Sequence, residues 1–204
     1  WKKANPNYAV SIKPEYFRKM SQEAKSLPSS EIAFRQLHLN QWVNSLSGWI
    51  PDDEWMQSAG TINLEELKGK PCYGGLDLAA VEDVCAFVLI FPWDDGSIKV
   101  VPYLFVSQAA VNRRRTQTGG SYENFVSRGE LIVTEGNSTD YNVIKNKIFE
   151  AAQIYDLKSV AFDRWNSSQL IIQLSQQDGI PMSQFGQGYR SMSAPTKELE
   201  KLVL

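Results

Sequence analysis

Over residues 71–106, "PCYGGLDLAAVEDVCAFVLIFPWDDGSIKVVPYLFV", apolar runs of strand length alternate with turn residues. Three strands are expected here: Cys72–Leu78, Val84–Phe91 and Ile98–Val106. The second and third are joined through "PWDDGS", where Asp95-Gly96 is a strong hairpin signal. A less regular insertion follows, including "NRRRTQTGGSYENFVSRG", and then a short strand over Leu131–Thr134. Asp140 is placed to cap a helix whose Ile144, Ile148, Ala152 and Tyr155 share an apolar face. Ser159–Phe162 reads as a strand ending in Asp163, and the next helix, Ser168–Gln177, stops at Asp178-Gly179. "IPMSQFGQG" supplies one more strand, with Gly186-Gln187-Gly188 as a tight loop after it, and "SAPTKELEKLVL" opens a last helix.

Residues 1–66 carry a different, helical pattern. One helix is expected over Pro14–Ala24, with proline in its first turn. A second runs from Ser30 to about Trp42, capped by Ser29 or Ser30, with Ile32, Phe34 and Leu37 as apolar positions. "SLSGWIPDDEWMQSAG" reads as an irregular connector. No Walker-type phosphate loop is present, and Gly186-Gln187-Gly188 is too short for a dinucleotide fingerprint.

Three strands followed by helix, strand, helix, strand, helix is the order of a ribonuclease H-like mixed sheet: antiparallel strands, then parallel ones, flanked by helices. In that arrangement the first strand lies beside the first parallel strand after the hairpins. Asp77 and Asp163 then stand at neighbouring strand ends. Two carboxylates at one sheet edge repel unless a cation lies between them, which points to a metal site. Magnesium or manganese suits such ligands, and a pair of ions there would activate water and stabilise the leaving oxygen of a phosphodiester. The competing reading for Asp163 is a cap for the helix that follows.

Composition narrows the chemistry. With 204 residues, 43% apolar, the chain is globular and has room for one domain plus an appendage. No apolar run is long enough to span a membrane, and no leader follows Trp1, so a piece of a longer protein is expected. Cys72 and Cys85 fall in adjacent strands and read as reduced core thiols of an intracellular protein, and the single His38 as a surface or packing residue. Cys-His and Ser-His-Asp catalysis are thereby set aside in favour of carboxylates, lysines or a metal they hold. The balance of 21 basic and 23 acidic residues is not the global footprint of a nucleic-acid binder. Acids gathered around divalent cations would, however, invert the field locally.

"YGGLDLA", "TEGNSTDYNVIKNKI", "VAFDRWNSSQL" and "FGQGYRSMSAPTKELEKLV" resemble the large subunit of tailed-phage terminases. "FRQLHLNQWV" with "GWIPDDEW" resembles the stretch that links the ATPase domain of such proteins to their nuclease domain. The resemblance implies that residues 1–66 are the end of a preceding ATPase domain plus linker. Residues 67–204 would then be a ribonuclease H-like nuclease domain, incomplete at its C-terminus. It implies an endonuclease that cuts concatemeric double-stranded DNA during viral packaging, using two Mg²⁺ or Mn²⁺ ions. The partners it implies are DNA, the terminase small subunit and the portal or procapsid, with oligomerisation in the packaging motor and action in the host cytoplasm. Asp77 and Asp163 are assigned as metal ligands. Asp83 matches an acid found in some of these nucleases, or simply starts the second strand. A further essential aspartate of the family lies beyond "KELEKLV", so the metal site is read as incomplete here.

Arg113, Arg114 and Arg115 contact phosphates or form a solvated loop. Arg164 orients a phosphate or pairs with an acid, and Lys197 is a further phosphate candidate. Glu135 and Asp140 position the insertion and cap the helix, or join the metal site. Three rivals stand beside this reading: another ribonuclease H-like enzyme of the resolvase or transposase type, an actin-like ATPase with "GGLDLA" as its phosphate hairpin, and a non-catalytic docking module of a packaging motor.

Overall fold

The computed structural model describes residues 1–26, 28–41, 49–79, 83–117, 121–163 and 168–204. The chain divides into two compact units, Thr61–Thr196 and Trp1–Gly60 together with Lys197–Leu204. The first holds a six-stranded sheet formed by β1 (Pro71–Asp77), β2 (Cys85–Pro92), β3 (Ile98–Ser107), β4 (Ile132–Thr134), β5 (Asp156–Phe162) and β6 (Met182–Gln184). Their spatial order is β4-β3-β2-β1-β5-β6. β2 runs antiparallel to both β1 and β3, while β5 lies parallel to β1 and β6 parallel to β5. This is the expected mixed sheet, extended by β4 as a parallel edge strand beside β3.

Side-chain alternation makes one face of the sheet the main core. Cys72, Gly74 and Leu76 of β1 point inward, opposite Cys85, Phe87, Leu89 and Phe91 of β2, all four fully buried. Against them pack Ile144, Ile148 and Ala151 of α6 (Tyr141–Ile154). Leu170 and Leu174, from α7 (Ser168–Ile172) and the π-type turn that continues it, complete this layer. Each large apolar side chain buried here contributes about 1.5–3 kcal/mol relative to exposure. The β1–β5 register shifts between Cys72 and Tyr73, where Lys158 is passed over. The extra residue allows both Leu157 and Val160, three positions apart, to face the same core.

The insertion after β3 is more regular than its sequence suggests. It forms α4 (Gln108–Gln117) and α5 (Ser121–Ser127). The buried Ser107 Oγ, at the end of β3, accepts from Ala110 N at 3.2 Å and so caps α4. Ala110 and Val111 then join Val106 and Leu131 in a small second cluster on the opposite face of the sheet. Elsewhere on that face Tyr73, Ile90 and Val100 are exposed.

In the other unit, α1 (Pro14–Ser26) and α2 (Pro28–Leu39) share a core of Phe17, Ala24 and Phe34. The α2 helix begins at Pro28, so Ser29 and Ser30 lie within its first turn instead of capping it. Leu37, expected to be inward, is 73% exposed. His38 is a packing residue, its ring 5.4–5.6 Å from those of Tyr16, Phe17 and Phe34. The expected irregular connector contains a helix, α3 (Asp52–Gln57), entered through Pro51. The last helix, α8 (Tyr189–Val203), starts earlier than expected, with Ser191 N and Met192 N closing its first turn on Gly188 O. Both cysteines are free thiols and fully buried. Among the described residues no helix is long and apolar enough to cross a membrane.

Candidate active site

Among the described strands β2 alone runs the other way, so the carboxyl ends of β1, β3, β4, β5 and β6 share one edge of the sheet. From β1 the chain turns back into β2 on one side, whereas β5 leads on to β6 on the other. Ligands of open α/β sheets bind outside the strand ends at such a divergence. Asp77 closes β1, and Asp163 follows Phe162, the register partner of Leu76. The two acids are therefore next in register on parallel strands, which lie about 4.8 Å apart. Asp77 is exposed and Asp163 partly so.

The chain leaving Asp77 is held from two sides. Ala79 N donates to Cys85 Sγ at 3.3 Å, and Tyr141 Oη donates to Ala79 O at 2.9 Å. Burial pushes the Cys85 thiol pKa up, so it serves here as a protonated, neutral acceptor. Tyr141 opens α6, where Asp140 Oδ1 accepts from Asn142 N at 2.9 Å as the expected cap. Asp140 N in turn donates to Thr134 Oγ1 at 3.1 Å. Beside this junction Glu135–Tyr141 line a polar cavity of about 460 Å³.

Asp83, two residues before β2, meets a cation of the protein itself. Arg114 Nη2 donates to Asp83 Oδ1 at 2.7 Å, and Arg114 Nη1 donates to Tyr122 Oη at 2.9 Å. The guanidinium also stands 5.2 Å from the centre of the Tyr122 ring. Arg115 Nε pairs with Glu123 Oε1 at 3.0 Å. Two of the three arginines thus fasten α4 to α5 and to the start of β2, and Arg113 is exposed on α4. Arg164 lies outside the described residues. Lys197 is exposed on α8, in the unit that holds Trp1–Gly60.

Asp77 and Asp163 supply the hard oxygen donors that a magnesium- or manganese-sized cation prefers. Two carboxylates alone leave most of its coordination shell to water and substrate. Among the described residues no three acidic, histidine or cysteine side chains gather closely enough to hold a metal. Sequence reasoning missed Gln187, whose Nε2 donates to Asp77 Oδ1 at 3.1 Å. Its one signal was the pair of flanking glycines. The Arg114 clamp on Asp83 had no signal in either segment.

The sequence matches the family described as "Terminase large subunit, endonuclease domain" over residues 1–204. It is 32% identical to the large terminase subunit of Enterobacteria phage HK97 over 209 residues, covering all of this chain and 40% of that protein. It is 29% identical to protein YmfN of Escherichia coli K12 over 211 residues, covering 98% of this chain and 46% of that one. The crystal structure of the HK97 large terminase superposes with a TM-score of 0.63, covering all of this chain and 42% of the other. The chain thus spans less than half the length of these relatives. By the family match and by its likeness in sequence and fold to the HK97 protein, the chain belongs to the terminase large subunit family and corresponds to its endonuclease domain.

Proposed function

We propose that the protein carrying this chain is a divalent-metal-dependent endonuclease that cuts concatemeric double-stranded DNA during viral DNA packaging. One observation carries the proposal: Asp77 and Asp163 stand at adjacent parallel strand ends, at the divergence point of the sheet. Both side chains serve as ligands for Mg²⁺ or Mn²⁺, two ions in the complete site. When bound, such cations supply Lewis-acid activation of water and neutralise the leaving oxygen of a phosphodiester. The carboxylates place that charge at the carboxyl edge of the sheet, and their mutual repulsion favours cation uptake.

Asp83 acts indirectly in this reading, because its charge is answered by Arg114. Arg113, Arg164 and Lys197 are proposed as phosphate contacts, with Arg114 and Arg115 shaping the α4–α5 support. Residues 1–66 are read as the end of an ATPase domain and its linker, and 67–204 as the nuclease domain. The terminase small subunit, the portal or procapsid and further copies in a packaging motor are the partners of the whole protein, acting in the host cytoplasm.

The test is nicking of supercoiled plasmid by the full-length protein with Mg²⁺ or Mn²⁺ and no ATP. Asp77→Asn and Asp163→Asn should each lower the rate roughly 10²-fold or more. Nicking that persists in excess EDTA, or Asp163→Asn cutting at the wild-type rate, would overturn the assignment.

A further inference from the structure

The loop between β6 and α8 reaches past its neighbouring strand. In the sheet order β1-β5-β6, a side chain from the end of β6 must cross the end of β5 to meet β1. Gln187 does so, its Nε2 donating to Asp77 Oδ1 at 3.1 Å. The loop is pinned on both sides of this residue. Phe185 N donates to Phe162 O at 2.8 Å, on the residue that precedes Asp163. Gly188 O accepts from Ser191 N and Met192 N, both at 3.0 Å. At Gly186 a Cβ would stand 3.3 Å from Ser191 Oγ, so the loop is drawn tightly against the first turn of α8.

Resting on the proposed nuclease reading, we infer that Gln187 is a positioning residue: it fixes the Asp77 carboxylate in the orientation that takes up the divalent cation. Asp77 sits exposed at a strand end. An ionised carboxylate has about four lone-pair sites. One amide N–H occupies one site on Oδ1 and leaves the others for a metal. A lysine or arginine at this position would neutralise Asp77 and compete with the cation, as Arg114 does at Asp83. A neutral amide orients the ligand and keeps its charge. Hydrogen-bond partners of this kind commonly set metal affinity by 10–100-fold.

The experiment uses the full-length protein and Mn²⁺ as probe. Binding is followed without DNA by the electron paramagnetic resonance signal of free Mn²⁺, and nicking by the Mn²⁺ concentration at half-maximal rate. Gln187→Met keeps the side-chain length and removes the donor, while Gln187→Ser removes both reach and donor. Both variants should bind Mn²⁺ roughly 10-fold more weakly, raise the half-maximal concentration in parallel, and melt near the wild-type temperature without metal. Saturating Mn²⁺ should restore most of the rate to Gln187→Met. If both variants bind Mn²⁺ with wild-type affinity, the role of Gln187 is overturned and the Asp77–Asp163 reading stands. If Asp77→Asn also binds Mn²⁺ as the wild type does, the reading itself falls and this inference falls with it.

Discussion

Gly74→Ala tests the packing that brings the two acidic strands together. Gly74 faces the core in the middle of β1 and pairs with Val160 on β5 and Leu89 on β2. A Cβ there would stand 3.0 Å from Phe87 Cε2 and 3.0 Å and 3.3 Å from the two methyls of Val160. Carbon atoms prefer about 3.5–4.0 Å, so the neighbours would have to retreat by roughly half an ångström. Neither yields readily. Val160 is β-branched, fully buried and bonded through its N–H to Pro181 O at 2.8 Å. The buried Phe87 ring stacks on Tyr103 with centroids 6.0 Å apart. Overpacking of this sort costs about 1–3 kcal/mol. Relief of the glycine entropy penalty returns about 0.5–1 kcal/mol. The net loss centres on about 1 kcal/mol, a fall in Tm of about 2–4 °C for a chain of this size. Gly75→Ala is the internal control, since a Cβ at the adjacent position meets nothing within 4 Å. It should leave Tm unchanged or raise it slightly. Thermal unfolding followed by circular dichroism decides the matter. A Gly74→Ala variant that melts at or above the wild-type temperature, or no lower than Gly75→Ala, would refute the reasoning.

Three further outcomes are expected. Asp140→Ala should destabilise the chain by about 1 kcal/mol in a denaturant titration, while Asp140→Asn, which still caps α6, should cost little. Arg114→Ala removes an ion pair whose aspartate is 80% exposed, worth at most about 1 kcal/mol, plus the Tyr122 contacts at about 0.5–1 kcal/mol. Amide exchange should accelerate in α4 and α5 and Tm should fall by several degrees at most, and unchanged exchange there would show that the clamp holds nothing. Burial pushes the Cys72 thiol up to about 11, so folded protein should not react at Cys72 with a thiol reagent at pH 8. Because that raised pKa means the folded state keeps its proton, stability should decline as pH rises from the ordinary thiol range towards about 11. Prompt labelling of Cys72 without unfolding would contradict the packing.

The elements that bring Asp77 and Asp163 to neighbouring strand ends were legible because their signals are local. Apolar runs of strand length marked β1 and β2, Asp95-Gly96 marked the turn between β2 and β3, and Asp140 with Ile144 and Ile148 marked α6. Strand order then implied the neighbourhood of Asp77 and Asp163. What stayed hidden was either weakly patterned or non-local. Among the described residues of helix α4 only Ala110 and Val111 are buried, so no apolar stripe announced it. Ser107, the residue that caps it, reads equally well as the end of a strand. Three contacts near the acids join segments far apart in sequence: Gln187 with Asp77, Arg114 with Asp83, and Tyr141 with Ala79. No periodicity within a segment encodes such meetings. Ser29 and Ser30, expected as caps, fall inside a helix whose first residue is Pro28.

The β1–β5 pairing also governs when the acidic edge comes into existence. Asp77 and Asp163 are separated by about 86 positions, and closing a loop of that length costs about 4 kcal/mol in chain entropy before any contact offsets it. The β1–β2–β3 meander needs no such closure and can form while the remainder is still being synthesised. β5 can dock only after β4 and α6 have been made, and Gln187 arrives later still, once β6 has joined. A ribosome-bound chain that ends anywhere before β5 therefore carries Asp77 without its neighbour. Whatever chemistry the edge performs, synthesis order keeps it silent until nearly the whole sheet has been assembled.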